Sequence, residues 1–274
     1  MTDGAQGSET SGSVRLLFVG DVIGKPGRRV LGRLLAGLRD ERQLDYVIVN
    51  VENAAGGFGV TPDILRELDA YEIDCYTSGN HIWDKKEGLP LLDREPRLLR
   101  PANYPQGNPG HGVYVGRTAA GIPVATVNLE GQVFMKNLDS PFKIADRLLA
   151  ELPSEVKVIL VDFHAEATSE KQAMGFHLDG RASAVFGTHT HVPTADERIL
   201  PEGTAFITDV GMTGAYEGII GFKATKSLQR FELQRSIPIE VAKRDVRLAA
   251  AIVEVDAETG RATSVERLLL PVTL

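Results

Sequence analysis

Five apolar runs in this chain each end in a polar residue able to hold a metal or move a proton, and that repetition constrains its fold more than anything else. Residues 14–20 (VRLLFVG) lead into Asp21, and 45–51 (DYVIVNV) into Glu52 and Asn53. The weaker run 73–78 passes through Gly79 to Asn80 and His81, while 156–163 (VKVILVDF) stops at His164. Residues 183–186 run into Gly187-Thr188-His189-Thr190-His191. Runs that are apolar throughout and separated by helical stretches read as strands buried on both faces. In open α/β sheets ligands bind just beyond the carboxyl ends of such strands. Turn propensity alone would place Ser, Gly and Asn there; instead four of the six histidines gather with one Asp and one Glu.

The remaining pattern predicts helices over 26–42, 61–71, 85–93 and 141–152, the first and second carrying Pro near their first turns. Segments 112–115 and 123–129 flank Gly121 and read as a hairpin. Further strands are expected at 205–208, at 248–255 and in the C-terminal residues. Mixed βαβ units and hairpins point to two sheets covered by outer helices. Residues 14–274 read as a single domain, and the Gly/Ser/Thr-rich stretch 1–13 as a disordered extension.

A chain of 274 residues buries a sizeable core without help, so a metal here would serve chemistry rather than folding. The net charge of −7 disfavours long nucleic acid, which needs a basic stripe. A small phosphorylated substrate remains compatible, because bound divalent cations reverse the local field. The one cysteine, Cys75, has no internal disulfide partner, which fits a reducing, cytoplasmic setting. No apolar run approaches the roughly 18–20 residues of a membrane span, and no membrane association is expected.

Taken singly, most of these polar residues have plainer readings. Asp21 could cap the following helix, Glu52 could face solvent, Asn80 suits a turn, and His164 could be a satisfied buried histidine. The pair His189 and His191 is harder to dismiss, since two imidazoles two residues apart in a Gly/Thr setting are costly unless something binds them. Imidazole mixed with carboxylate and amide oxygen suits iron, manganese or zinc, and the absence of thiolates argues against a structural zinc site. The set exceeds what one tetrahedral site needs. Two ions about 3.5–4 Å apart, clamping a phosphoryl group, would use it fully. Asp74, Asp84, Asp162 and Asp209 are further carboxylates able to orient histidines, and sequence does not choose among them.

In order, Gly20-Asp21, Glu52-Asn53, Gly79-Asn80-His81, His164 and Gly187-Thr188-His189-Thr190-His191 resemble the signature of calcineurin-like metallophosphoesterases. Two departures stand out: Ile23 occupies a position that is usually His, and Glu52-Asn53 one that is usually a bridging Asp. Both are similar to the bacterial YmdB-type branch, as are the strings VENAAGGFG (51–59), VNLEGQVFM (127–135) and VDFHAEATSEK (161–171). The resemblance implies an α/β/β/α sandwich of two mixed sheets flanked by helices, two iron or manganese ions, and phosphodiesterase activity on 2′,3′-cyclic nucleotides. It implies that Asp21, Asn53 and His191 hold one ion and Asn80, His164 and His189 the other. Glu52 would bridge them and His81 would donate the proton to the leaving oxygen. It also implies a homo-oligomer.

The expected reaction is in-line hydrolysis of a phosphodiester by a hydroxide generated between the ions. Two rivals stand beside it. A weakly catalytic, metal-containing nucleotide sensor is suggested by Ile23 in place of His. A dinucleotide-binding fold is suggested by Gly20-x-x-x-Gly24, although that spacing departs from the G-x-G-x-x-G fingerprint.

Overall fold

Successive side chains along the buried strands are shared between two different apolar layers, which is what lets one strand serve two cores. In β1, Val14, Leu16 and Phe18 face one layer while Leu17 and Val19 face another. The computed structural model describes residues 12–273. Its elements run β1 (Ser13–Val19), α1 (Gly24–Arg42), β2 (Tyr46–Asn50), α2 (Pro62–Asp69), β3 (Cys75–Thr77), α3 (Leu91–Arg94), β4 (Val113–Arg117), β5 (Pro123–Glu130) and α4 (Pro141–Glu151). They continue with β6 (Val158–His164), α5 (Thr168–His177), β7 (Ala184–Thr188), β8 (Arg198–Ile199), β9 (Ala205–Ile207), β10 (Gly214–Ala215), α6 (Ala224–Leu233), β11 (Val246–Asp256) and β12 (Ala262–Pro271).

Two six-stranded mixed sheets result, one ordered β10-β11-β1-β2-β3 with β12 on β11, the other β4-β5-β6-β7-β9-β8. Between them lies the central core, where Phe18 meets Phe186 with ring centroids 5.8 Å apart. Outside the first sheet, α1 and α2 pack Val30, Leu31, Leu35, Leu65 and Leu68. Outside the second, α4 and α5 contribute Ala145 and Met174. This is the expected α/β/β/α sandwich. The antiparallel β11 beside β1 is not a doubly wound dinucleotide-binding order.

Several expectations shift in detail. The helix expected over 85–93 is a 3-10 turn at Lys86–Gly88 followed by α3, because Pro90 has no N–H to continue the first segment. Helices α5 and α6 are additions to the sequence-based pattern. In α5, Glu170 and Lys171 are buried, so its inner face carries no clean apolar stripe. The expected disordered stretch 1–13 falls outside the described residues up to position 11, whereas Ser13 already pairs with Asp256 as the first residue of β1. No helix among the described residues is long and apolar enough to cross a membrane.

Candidate metal centre

Parallel pairing of β1, β2 and β3 in one sheet and of β5, β6 and β7 in the other brings their carboxyl ends to the same edge of the sandwich. There Asp21, Glu52, Asn53 and His164 are all but inaccessible and His191 is buried. Donor atoms of Glu52, His164 and His189 lie within 4.8 Å of one another, and so do those of Asp21, Glu52 and His191. Glu52 belongs to both groups. His164 Nε2 alone has Asn80 Oδ1 at 3.0 Å, His189 Nδ1 at 3.0 Å and Glu52 Oε1 at 3.2 Å.

Hydrogen bonds on the far side of each ring fix which nitrogen looks inward. The Thr188 hydroxyl donates to Asp162 Oδ1 (2.7 Å), so its oxygen must accept from His164 Nδ1–H (2.9 Å), turning Nε2 toward the centre. Asp162 is itself held by Thr77 and Asn50. His191 Nδ1–H donates to the Ile220 carbonyl (3.0 Å), and His189 Nε2 faces Glu166 at 3.1 Å. Asn53 donates its amide N–H to Gly57 O (2.9 Å), so the Gly-rich turn orients the Asn53 oxygen rather than merely adding slack. Such outer partners set ligand orientation and basicity. Of the four carboxylates left open by sequence, three therefore find work at the site. Asp162 orients His164 through Thr188, Asp84 accepts from His81 Nδ1–H at 2.8 Å, and Asp209 anchors the His189–His191 loop. Asp74 instead accepts from Arg39 and the Val47 amide, at the opposite end of the strands.

The loop 189–191 is held against backbone preference. His189 and His191 have φ of 95° and 65°, a region non-glycine residues seldom enter. The His189 amide donates to Asp21 Oδ2 (3.1 Å), while Thr190 donates both its amide and its hydroxyl to Asp209 Oδ2. Asp209 is paired in turn with the buried Lys171 ammonium at 2.6 Å. Close approach also explains two of the glycines. A Cβ at Gly79 would stand 2.2 Å from the His164 ring and 2.5 Å from Glu52 Oε2, and one at Gly187 1.8 Å from Thr208 O.

Among protein groups alone the cluster is electrostatically unfinished. Burial works against a charged imidazole at His164, yet the adjacent Glu52 outweighs it and pushes the pKa up to about 9. Burial likewise opposes the Glu52 carboxylate, but His164 brings it to about 2. His189, desolvated and beside that positive ring, falls to about 3, and burial lowers His191 as well. Burial raises Asp21 well above the usual carboxylate range. One proton at His164 Nε2 thus faces three acceptors. Asp21 Oδ1 and Asn53 Oδ1 are buried with no hydrogen-bond donor, and Glu52 Oε1 has only the shared His164 proton, a costly state for acceptor oxygens. Convergent, unsatisfied oxygens and inward-turned imidazole lone pairs are the donor set that cations require, so the residues fit a two-metal centre.

His81 stands at the rim rather than inside the cluster, half-buried, with its amide donating to Glu52 Oε2 (3.0 Å). Its ring lies edge-on to Phe58, which stacks on Phe222. Both rings line a cleft of about 860 Å³ opening from Glu52, His189 and His191. Ile23, in place of the usual histidine, is fully buried and has only backbone hydrogen bonds, its amide to Thr213 O and its carbonyl from the Gly27 amide. His111 and His177 lie elsewhere, bonded to Pro96 O and Asp146. One residue was missed that the strand-end criterion reaches: Glu130 ends β5 in register with His164, is fully buried and accepts from the Tyr104 hydroxyl. Burial holds its carboxyl above the usual range. Phe58, Phe222 and Glu166 carried no comparable signal in sequence.

Similarity to known proteins extends over nearly the whole chain. A 2′,3′-cyclic-nucleotide 2′-phosphodiesterase from Bacillus subtilis (strain 168) is 47% identical over 258 residues, covering 94% of this chain and 97% of that protein. A crystal structure of a hypothetical protein from Thermus thermophilus superposes with a TM-score of 0.89 at 43% identity, covering 95% of this chain and all of that one. A crystal structure of a novel phosphatase from Mycoplasma pneumoniae gives the same TM-score at 35% identity, covering 95% and 94%. With residues 17–268 matching the family described as YmdB-like protein, the chain belongs to that family.

Proposed function

We propose that this chain is a two-metal phosphodiesterase that opens a 2′,3′-cyclic nucleotide to a nucleoside monophosphate. The convergence of Asn80, Glu52 and His189 on His164 Nε2 carries the reading, and the B. subtilis relative's name supplies the ester class. Asp21, Asn53 and His191 would hold one ion and Asn80, His164 and His189 the other, with Glu52 between them. Iron or manganese suits this mixture of imidazole, amide and carboxylate donors. When bound, the ions neutralise phosphoryl charge and acidify a water.

The chain's own residues then do the following. Thr188, Glu166 and Ile220 keep the histidines turned inward, and Asp209 holds their loop. His81, oriented through Nδ1 by Asp84, leaves Nε2 free to deliver a proton to the ribose oxygen as its bond to phosphorus breaks. The sensor reading rests on Ile23, and the Asn53 oxygen answers it by offering a donor beside Glu52. We place the protein in the cytoplasm as a homo-oligomer, with residues 14–274 acting as one domain.

Elemental analysis of the purified chain, coupled to a panel of phosphodiesters, is the direct test. About two iron or manganese ions per chain with turnover of 2′,3′-cyclic nucleotides supports the reading; tight nucleotide binding with negligible turnover returns it to the sensor. His81→Ala should lower turnover of the cyclic nucleotide about 10²–10⁴-fold, and much less for a nitrophenyl ester. Equal losses on both esters would remove His81 from the acid role.

A further inference from the structure

The cleft reaches well past the groups needed to open one cyclic phosphate. Its volume of about 860 Å³ lies toward the top of the range for small-molecule sites, about 300–1,000 Å³. Helix α6 forms the outer wall, with Ser227, Arg230, Phe231 and Gln234 recurring at helical spacing on the cleft side and Arg235 following. Only Ser227 of this ten-residue helix is buried, and isolated helices under about 12–15 residues are marginal in water. Phe231 is 68% exposed. Among the described residues neither Arg230 nor Arg235 forms an ion pair.

Charge on this wall runs against the net charge of the chain. Within residues 223–244, Lys223, Lys226, Arg230, Arg235, Lys243 and Arg244 stand against Glu232 and Glu240, a net +4 in a chain of −7. A cyclic mononucleotide carries a single phosphate, and that one belongs at the metal cradle. It leaves nothing anionic for the two guanidinium groups and nothing to cover Phe231.

Resting on the phosphodiesterase reading above, we propose that α6 and the residues after it bind the nucleotides upstream of the reacting phosphate, so that the substrate class includes short single-stranded RNA ending in a 2′,3′-cyclic phosphate. Arg230 and Arg235 receive backbone phosphates through their planar forks, and Phe231 offers a face on which an upstream base stacks. The chemistry is that of the mononucleotide. Water adds its oxygen to phosphorus, the bond to the ribose 2′ oxygen breaks, and that oxygen takes a proton, leaving a 3′-phosphate end. No oxidant or reductant is involved.

The test compares kcat/KM of the metal-loaded full chain on 2′,3′-cyclic AMP and on an oligoribonucleotide of about five residues with the same cyclic end. Fluorescence anisotropy of the 3′-phosphate oligonucleotide adds a binding readout. The oligonucleotide should be preferred by about tenfold or more at low salt. Its log–log salt dependence should be steeper by about 1.4, roughly 0.7 for each phosphate contact. Arg230→Gln with Arg235→Gln should bring the ratio toward one and remove that extra slope, while Phe231→Ala should lower the ratio without altering the slope. A ratio near one in the native chain, with the mononucleotide turned over, overturns the proposal and leaves the phosphodiesterase reading standing. Turnover of neither substrate overturns both. A Phe231→Glu variant that reduces the mass in solution but keeps the ratio assigns α6 to a second copy of the chain and overturns it too.

Discussion

The two walls of the cleft are built on opposite principles. On the inner wall the ligand-bearing segments are held by further side chains: His164 by Thr188 and, through it, Asp162, the 189–191 loop by Asp21 and Asp209, and Asp209 by Lys171. On the outer wall α6 buries one residue, and its arginine and the one that follows it have no ion-pair partners among the described residues. Donors that must meet within a few tenths of an ångström are carried on strand ends and over-determined. Groups proposed to meet a flexible ligand are carried on a surface helix without ion-pair partners among the described residues.

Four substitutions would break or sharpen this contrast. The largest effect is expected from Lys171→Met, which leaves Asp209 buried and unpaired; chemical denaturation should show a loss of about 3–5 kcal/mol. A loss below about 1 kcal/mol would mean that the loop does not depend on that pair. Gly79→Ala forces a methyl group against His164 and Glu52, and displacements of this size cost about hundredfold in turnover. Elemental analysis should find metal lost in parallel, and full occupancy would contradict a rigid cradle. Asp162→Asn disturbs the hydrogen bonds from Asn50, Thr77 and Thr188, and through Thr188 the orientation of His164, so metal affinity, measured by competition with a chelator, should fall about 10–100-fold. Phe231→Ser on the outer wall should change unfolding free energy by no more than about 0.5 kcal/mol; a larger shift would show that α6 is packed against something.

Legibility in the sequence follows the same division. The inner wall could be read because its strands are apolar on both faces and stop abruptly, which exposes Asp21, Glu52, Asn80, His164 and His189 as a set. Glu130 would have joined them had the run 123–129 been extended by one residue. What orients the histidines was not readable: Asp74 and Asp162 both sit near strand ends, and only the pairing of strands places one beside Arg39 and the other beneath His164. Helix α5 escaped because Glu170 and Lys171 point inward, where Glu170 receives the Gln132 amide and Lys171 meets Asp209. Helix α6 escaped for the opposite reason, since a helix that buries almost nothing leaves no periodic trace.

The uneven distribution of charge has a consequence for which molecules can approach at all. A net −7 for the chain and +4 for residues 223–244 leave −11 for the remainder. At the cleft an anion therefore meets a basic strip on a chain that is acidic overall, an attraction that weakens as salt rises. On the proposal above, the last few nucleotides of a strand would enter along α6. The proposed RNA substrate would then be selected by its terminus, because only an end carries the cyclic phosphate to the cradle.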